Sequence, residues 1–111
     1  MYKRQTLNAP VGVGAGDEEY LRIIDEELIP AMNDYKPQFV IVSAGFDAHY
    51  NDPLSGTRVT EAGFAKMTGQ ALSIAADHAD NRLISVLEGG YDLGGLSLSV
   101  EAHLRALLDA A

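Results

Sequence analysis

The sequence predicts an α/β fold: a βαβ unit with flanking helices, forming part of a three-layer α/β/α arrangement around a short parallel sheet. Three observations predict it. Two short apolar runs, residues 38–43 and 82–87, lack polar alternation and favour β-branched side chains, the pattern of strands covered on both faces. Between them, residues 60–79 carry apolar side chains at helical spacing, which makes a crossover long enough to set the two strands parallel. The first run stops at small residues and opens into a polar loop, the second opens into a glycine-rich loop, and in a parallel sheet both loops lie at the same carboxyl edge, where ligands gather.

The elements follow in order. Residues 1–16 have no helical period, and their Gly and Pro residues read as a loop. Residues 17–35 read as an amphipathic helix. Asp17, Glu18 and Glu19 suit the positive end of its dipole, and Tyr20, Ile23, Ile24, Leu28, Ala31 and Met32 recur at helical spacing. Pro30 predicts a kink or other irregularity late in that helix, and Pro37 ends it. The strand 38–43 leads into a loop, 44–59, with turn signals at Asp52-Pro53 and Ser55-Gly56. Thr60 is the expected cap of helix 60–79, whose stripe is Phe64, Met67, Ala71, Ile74 and Ala75. Asp80-Asn81 is a turn. The second strand gives way to the glycine-rich loop 88–95, and residues 96–109 form a last helix with Leu96, Val100, Leu104, Leu107 and Leu108 on one side.

The chain has 111 residues, room for one small domain, and 47% of them are hydrophobic, enough for a core. Sixteen acidic residues against 8 basic give a net charge of −8, which argues against a nucleic-acid-binding face. The absence of cysteine excludes disulfides, thiolate metal sites and a Cys nucleophile. No apolar run approaches the roughly 18 residues of a membrane span. A cytoplasmic protein with no membrane partner is the default expectation. Two strands covered on both faces would make a sheet that is all edge, so the sequence asks for more sheet than it contains, from further chain or a partner subunit.

The two loops carry the chemistry. The first offers Asp47, His49 and Asp52; the second offers Glu88, Tyr91 and Asp92 beside Gly89 and Gly90. A carboxylate can hold a hydrolytic metal ion, a Tyr hydroxyl can hold an oxyanion, and glycines let backbone approach a ligand. Spacing alone favours a bland reading, in which Asp47 and Asp52 cap turns or helix ends and His49 is a solvated loop residue.

The segment Ser43-Ala44-Gly45-Phe46-Asp47-Ala48-His49, followed by Asp52-Pro53-Leu54 and then by Leu87-Glu88-Gly89-Gly90-Tyr91-Asp92-Leu93, resembles the zinc-dependent histone deacetylase family, in the bacterial branch that includes acetylpolyamine amidohydrolases. Asn8-Ala9-Pro10, Gly16-Asp17 and Tyr20 match as well, and the likeness runs from about Asn8 to Leu108. It implies the C-terminal part of an arginase/deacetylase-like fold, with 1–111 as a single partial domain. It implies that Asp47 is the family's last zinc ligand, that Tyr91 is its transition-state tyrosine, and that Gly89 and Gly90 line the acyl channel. The family's Asp-x-His ligands and His-His general base have no counterpart here, since His49, His78 and His103 stand apart from one another. His49 is expected at the site's rim, and His78 and His103 at partly exposed helix positions.

What the resemblance implies is therefore a portion of a deacetylase for acetyl-lysine or acetylpolyamine amides. It would use Zn²⁺ in the parent family, bind it unstably by itself, and be inactive alone. It would form a homo-oligomer through its exposed sheet edge or core face. Two alternatives stand beside this: a non-catalytic oligomerising module, and a subunit that rebuilds an active site with a separate N-terminal polypeptide.

Overall fold

The computed structural model describes residues 6–110. The part of the N-terminal loop at residues 1–5 lies outside them. The elements run α1 (Asp17–Ile23), a π-helical turn (Ile24–Leu28), α2 (Ile29–Tyr35), β1 (Val40–Ala44), α3 (Glu61–His78), β2 (Leu83–Leu87) and α4 (Leu93–Ala110). β1 and β2 pair in parallel, with Val40 opposite Leu83 and Ala44 opposite Leu87. This is the expected βαβ unit, with α3 as the crossover.

The irregularity expected at Pro30 takes a specific form. Pro30 has no N–H, and its ring crowds the carbonyl four residues back. The turn ahead of it widens, so that the Ile29 N–H reaches the Ile24 carbonyl, five residues back. The axis is thus interrupted before the proline rather than bent at it. Lys36, at φ 57°, closes α2 in the left-handed region, and Pro37 follows.

α3 begins at the expected cap. Thr60 Oγ1 accepts from Gly63 N at 3.1 Å, and it donates in turn to Asp17 Oδ2 at 2.5 Å while Thr60 N–H donates to Asp17 Oδ1 at 2.8 Å. Asp17 therefore ties the start of α1 to the start of α3, beyond its role in the helix dipole. Gly63 is the residue that makes room, because a Cβ there would collide with the Asp17 carboxylate. Asp80 and Asn81, both at positive φ, form the turn after α3.

The core lies on one side of the sheet. Ala44, Phe46, Val59 and Phe64 are buried together, with Tyr20, Val42, Met67, Leu96 and Val100 packed against them. The other side departs from expectation. Within the described residues Ile41 is 67% exposed, Ile84 51% and Val86 46%, so the unalternating strands are covered on one face only. Neither strand has a second neighbour among these residues. An apolar groove of about 550 Å³ also runs beside β1, lined by residues such as Tyr20, Met32, Val42, Met67 and Ile74.

The buried side of α4 also differs from the expected stripe. Gly95, Ser99 and His103 are buried, while Leu104 and Leu108 are exposed. His103 is not at the partly exposed position expected for it. Its Nδ1 meets Thr68 Oγ1 at 2.7 Å and its Nε2 meets Ser85 Oγ at 2.8 Å, joining α4 to α3 and β2. Thr68 Oγ1 donates to the Phe64 carbonyl, so Nδ1 is the donor in the first contact and Nε2 accepts from Ser85. Burial pushes the His103 pKa below the usual histidine value, which favours this neutral form. His78 is half-buried, with Nε2 3.0 Å from Asn33 Oδ1.

Candidate functional site

The carboxyl edge of the sheet brings the two chemistry-bearing loops together. Their pairing continues past the strands: Glu88 N–H donates to the Ala44 carbonyl at 3.0 Å, and Phe46 N–H donates to the Gly89 carbonyl at 2.8 Å. Phe46 is the anchor of the first loop, 3% exposed, with its ring centroid 5.0 Å from Phe64 and 5.6 Å from His103. The next residue, Asp47, is thereby aimed across the sheet edge at the second loop.

Asp47 lies directly over the backbone of both loops. A Cβ added at Gly89 would stand 3.0 Å from Asp47 Oδ2, and one added at Gly45 would stand 3.0 Å from Asp47 Oδ1. A side chain at either glycine would press on the carboxylate and push it by a few tenths of an ångström. Among the described residues no group donates a hydrogen bond to that carboxylate. This carboxylate, unpartnered and framed by bare backbone, is of the right kind to serve as one metal ligand. It is one donor only, since among the described residues no three of His, Cys, Asp and Glu are grouped as a metal ion would require.

Tyr91 is 56% exposed, and its hydroxyl makes no hydrogen bond among the described residues. Its backbone is fixed instead. Asp52 is 9% exposed; its Oδ1 accepts from Leu54 N–H at 2.9 Å and its Oδ2 from Tyr91 N–H at 2.8 Å. The bland reading of Asp52 as a turn residue holds for the first bond and misses the second. Gly90, at φ +140°, supplies the sharp reversal before Tyr91. Asp92 caps α4 through Oδ2 to Gly95 N–H at 2.8 Å, so that helix starts earlier than its glycines suggest.

His49 is neither solvated nor at a rim. It is 1% exposed and stacks on Tyr50 with ring centroids 4.2 Å apart. Asn51 N–H donates to Nδ1 at 3.1 Å, so Nε2 carries the proton and donates to Glu61 Oε2 at 2.5 Å. That hydrogen bond holds the Glu61 carboxyl below its usual pKa. Both ring nitrogens are committed, and the ring joins the first loop to the start of α3. A Cβ at Gly95 would stand 2.6 Å from His49 Nδ1, which explains a glycine inside the first turn of α4.

Comparisons with known proteins find likeness along most of the chain. The histone deacetylase domain family matches residues 2–107. A probable deacetylase of Archaeoglobus fulgidus is 46% identical over 90 residues, covering 81% of this chain and 25% of that protein. Histone deacetylase 10, chloroplastic, of Oryza sativa subsp. japonica is 41% identical over 103 residues, covering 93% of this chain and 23% of its own length. The crystal structure of the HDA15 HD domain superposes with a TM-score of 0.77 at 38% identity, covering 86% of this chain and 26% of that one. The chain thus spans about a quarter of the length of these relatives. The strand pair with its two loops is a portion of a deacetylase-type α/β fold.

Proposed function

The chain belongs to the histone deacetylase family, and from that premise we propose that it supplies one wall of a zinc-dependent amide-hydrolase site. Asp47 would be a metal ligand, Tyr91 the oxyanion donor, and Gly89 and Gly90 the lining of the acyl channel. The observation that carries this reading is the position of the Asp47 carboxylate, unpartnered among the described residues and held between Gly45 and Gly89 on the loop next to Tyr91. Zinc, when bound in such a site, lowers the pKa of its water to about 7 and polarises the substrate carbonyl. This chain's own part is electrostatic and positional. The Tyr91 phenol would donate a hydrogen bond to the carbonyl oxygen as it gains charge. The bare backbone of Gly89 and Gly90 would let an acetyl group pass close by. Acetyl-lysine or acetylpolyamine amides are the proposed substrates.

A catalytic zinc needs about three protein ligands and an open position, and Asp47 provides one. We therefore expect the isolated chain to hold zinc well below one ion per chain and to show no turnover of an acetyl-lysine reporter above background. Metal analysis and a fluorogenic acetyl-lysine assay check this. Stoichiometric zinc, with turnover that vanishes in Tyr91→Phe, would show that the chain assembles a complete site and would overturn the reading.

The uncovered sheet face supports a proposal about assembly. Ile41, Ile84, Val86 and Leu87 are all exposed on or beside it, and apolar surface of this kind marks an association site. We propose that the isolated chain covers it with a second copy of itself, and that the other portion of a deacetylase domain is the competing occupant. Light scattering coupled to size exclusion is expected to give twice the 11.9 kDa chain mass or more. A monomer at micromolar concentration would refute self-association.

A further inference from the structure

We propose that Asp52 is a positioning residue: its buried carboxylate fixes the backbone of Tyr91 and so sets where the Tyr91 phenol points. The proposal rests on the reading of Tyr91 as the oxyanion donor, and it concerns a contact that this reading does not require.

The loop that carries Tyr91 is intrinsically loose. Gly89 and Gly90 lead directly into Tyr91, and Gly90 stands at φ +140°, where other residues are strained. Tyr91 is 56% exposed, and its hydroxyl finds no hydrogen-bond partner among the described residues. A tyrosine in that setting would sample many directions, whereas an oxyanion donor must be held within a few tenths of an ångström of its productive geometry.

Asp52 provides the restraint. It belongs to the Asp47 loop, 39 residues away in sequence, and accepts the Tyr91 N–H at 2.8 Å through Oδ2. That N–H is one bond from the Tyr91 Cα, so the contact constrains the backbone dihedral from which the side chain projects. The carboxylate is itself immobilised, because its other oxygen accepts Leu54 N–H at 2.9 Å and the residue is 9% exposed. A charge-assisted bond from a buried carboxylate is among the stronger ones available to a backbone amide. The result is a brace from the loop of the metal-ligand position to the loop of the oxyanion position. If Asp47 and Tyr91 act on one substrate, their separation is set through Asp52.

Amide hydrogen exchange on the full chain, read residue by residue by NMR, tests the brace without any assay of activity. In Asp52→Ala the Tyr91 amide is expected to exchange at least about tenfold faster, while the Phe46 and Glu88 amides, which bond to backbone carbonyls, keep their rates. A residue that only added global stability would speed all protected amides together. Asp52→Asn, which keeps the shape and one acceptor oxygen, is expected to fall between wild type and alanine, and it is read in the same way if the alanine variant does not fold. An unchanged Tyr91 rate, or a parallel rise at all three amides, would overturn the proposal. Turnover of Tyr91→Phe in a deacetylase domain whose matching portion is replaced by this chain reports separately on the role of the phenol, so the two ideas can fail independently.

Discussion

Phe46→Ala is expected to destabilise the chain by about 3–5 kcal/mol, the usual cost of truncating a buried phenylalanine. Phe46 is 3% exposed, and its ring meets Phe64 edge-on at 5.0 Å and His103 at 5.6 Å. It is the residue where helices α3 and α4 converge on the loop after β1. Native domains hold only about 5–15 kcal/mol in all, so the loss takes about a fifth or more of the reserve. Calorimetry should show a fall in Tm of roughly 12 °C or more, at about 4–8 °C per kcal/mol for a domain of this size. A fall below about 4 °C, equivalent to 1 kcal/mol, would show that Phe46 is not the keystone of the loop. The consequence reaches function, because Asp47 is the next residue and owes its direction to the buried ring.

The second large effect concerns catalysis, and it needs a complete site. The 90-residue portion of this chain that aligns with the Archaeoglobus fulgidus relative at 46% identity can be grafted in place of the matching quarter of that protein. In such a graft, Tyr91→Phe removes one hydroxyl and almost no volume. If the phenol is the oxyanion donor, kcat should fall about 10²–10³-fold, the usual cost of losing one such donor. KM should change little, because the bond strengthens only as charge develops on the oxygen. A fall of less than about threefold in kcat, far short of that range, would remove Tyr91 from the reaction.

Much of this organisation was legible in the chain because it depends on local chemistry. Two β-branched runs separated by a helical crossover can pair only in a few ways, and parallel pairing places both following loops at one edge. The meeting of Asp47 and Gly89 follows from that placement. Thr60 as a cap and Asp80-Asn81 as a turn are also local, and the structure has both.

What escaped the sequence depends on partners distant along the chain. His49 and His103 read as surface residues because imidazole is polar, yet each is buried once both ring nitrogens are paired, with Glu61 and Asn51 in one case and Thr68 and Ser85 in the other. Nothing near Asp52 announces Tyr91. The doublet Gly94-Gly95 did carry a signal, since a glycine within a helix often marks a close approach. Here the approaching group is the His49 ring. Pro30 signalled an irregularity, but its form as a widened turn depends on how the preceding helix relieves the ring clash. The uncovered sheet face is a difference of another kind. The strands are written for burial on both sides, and the described residues cover one of them.

Zinc content of the graft, compared with that of the same graft carrying Asp47→Asn, tests the central claim most directly. With Asp47 as one ligand, the graft is expected to hold about one zinc and to lose most of it on dialysis when Asp47 becomes asparagine. Full retention of zinc in the Asp47→Asn graft, with its fold intact, would contradict the assignment of Asp47 as a metal ligand and with it the proposed site.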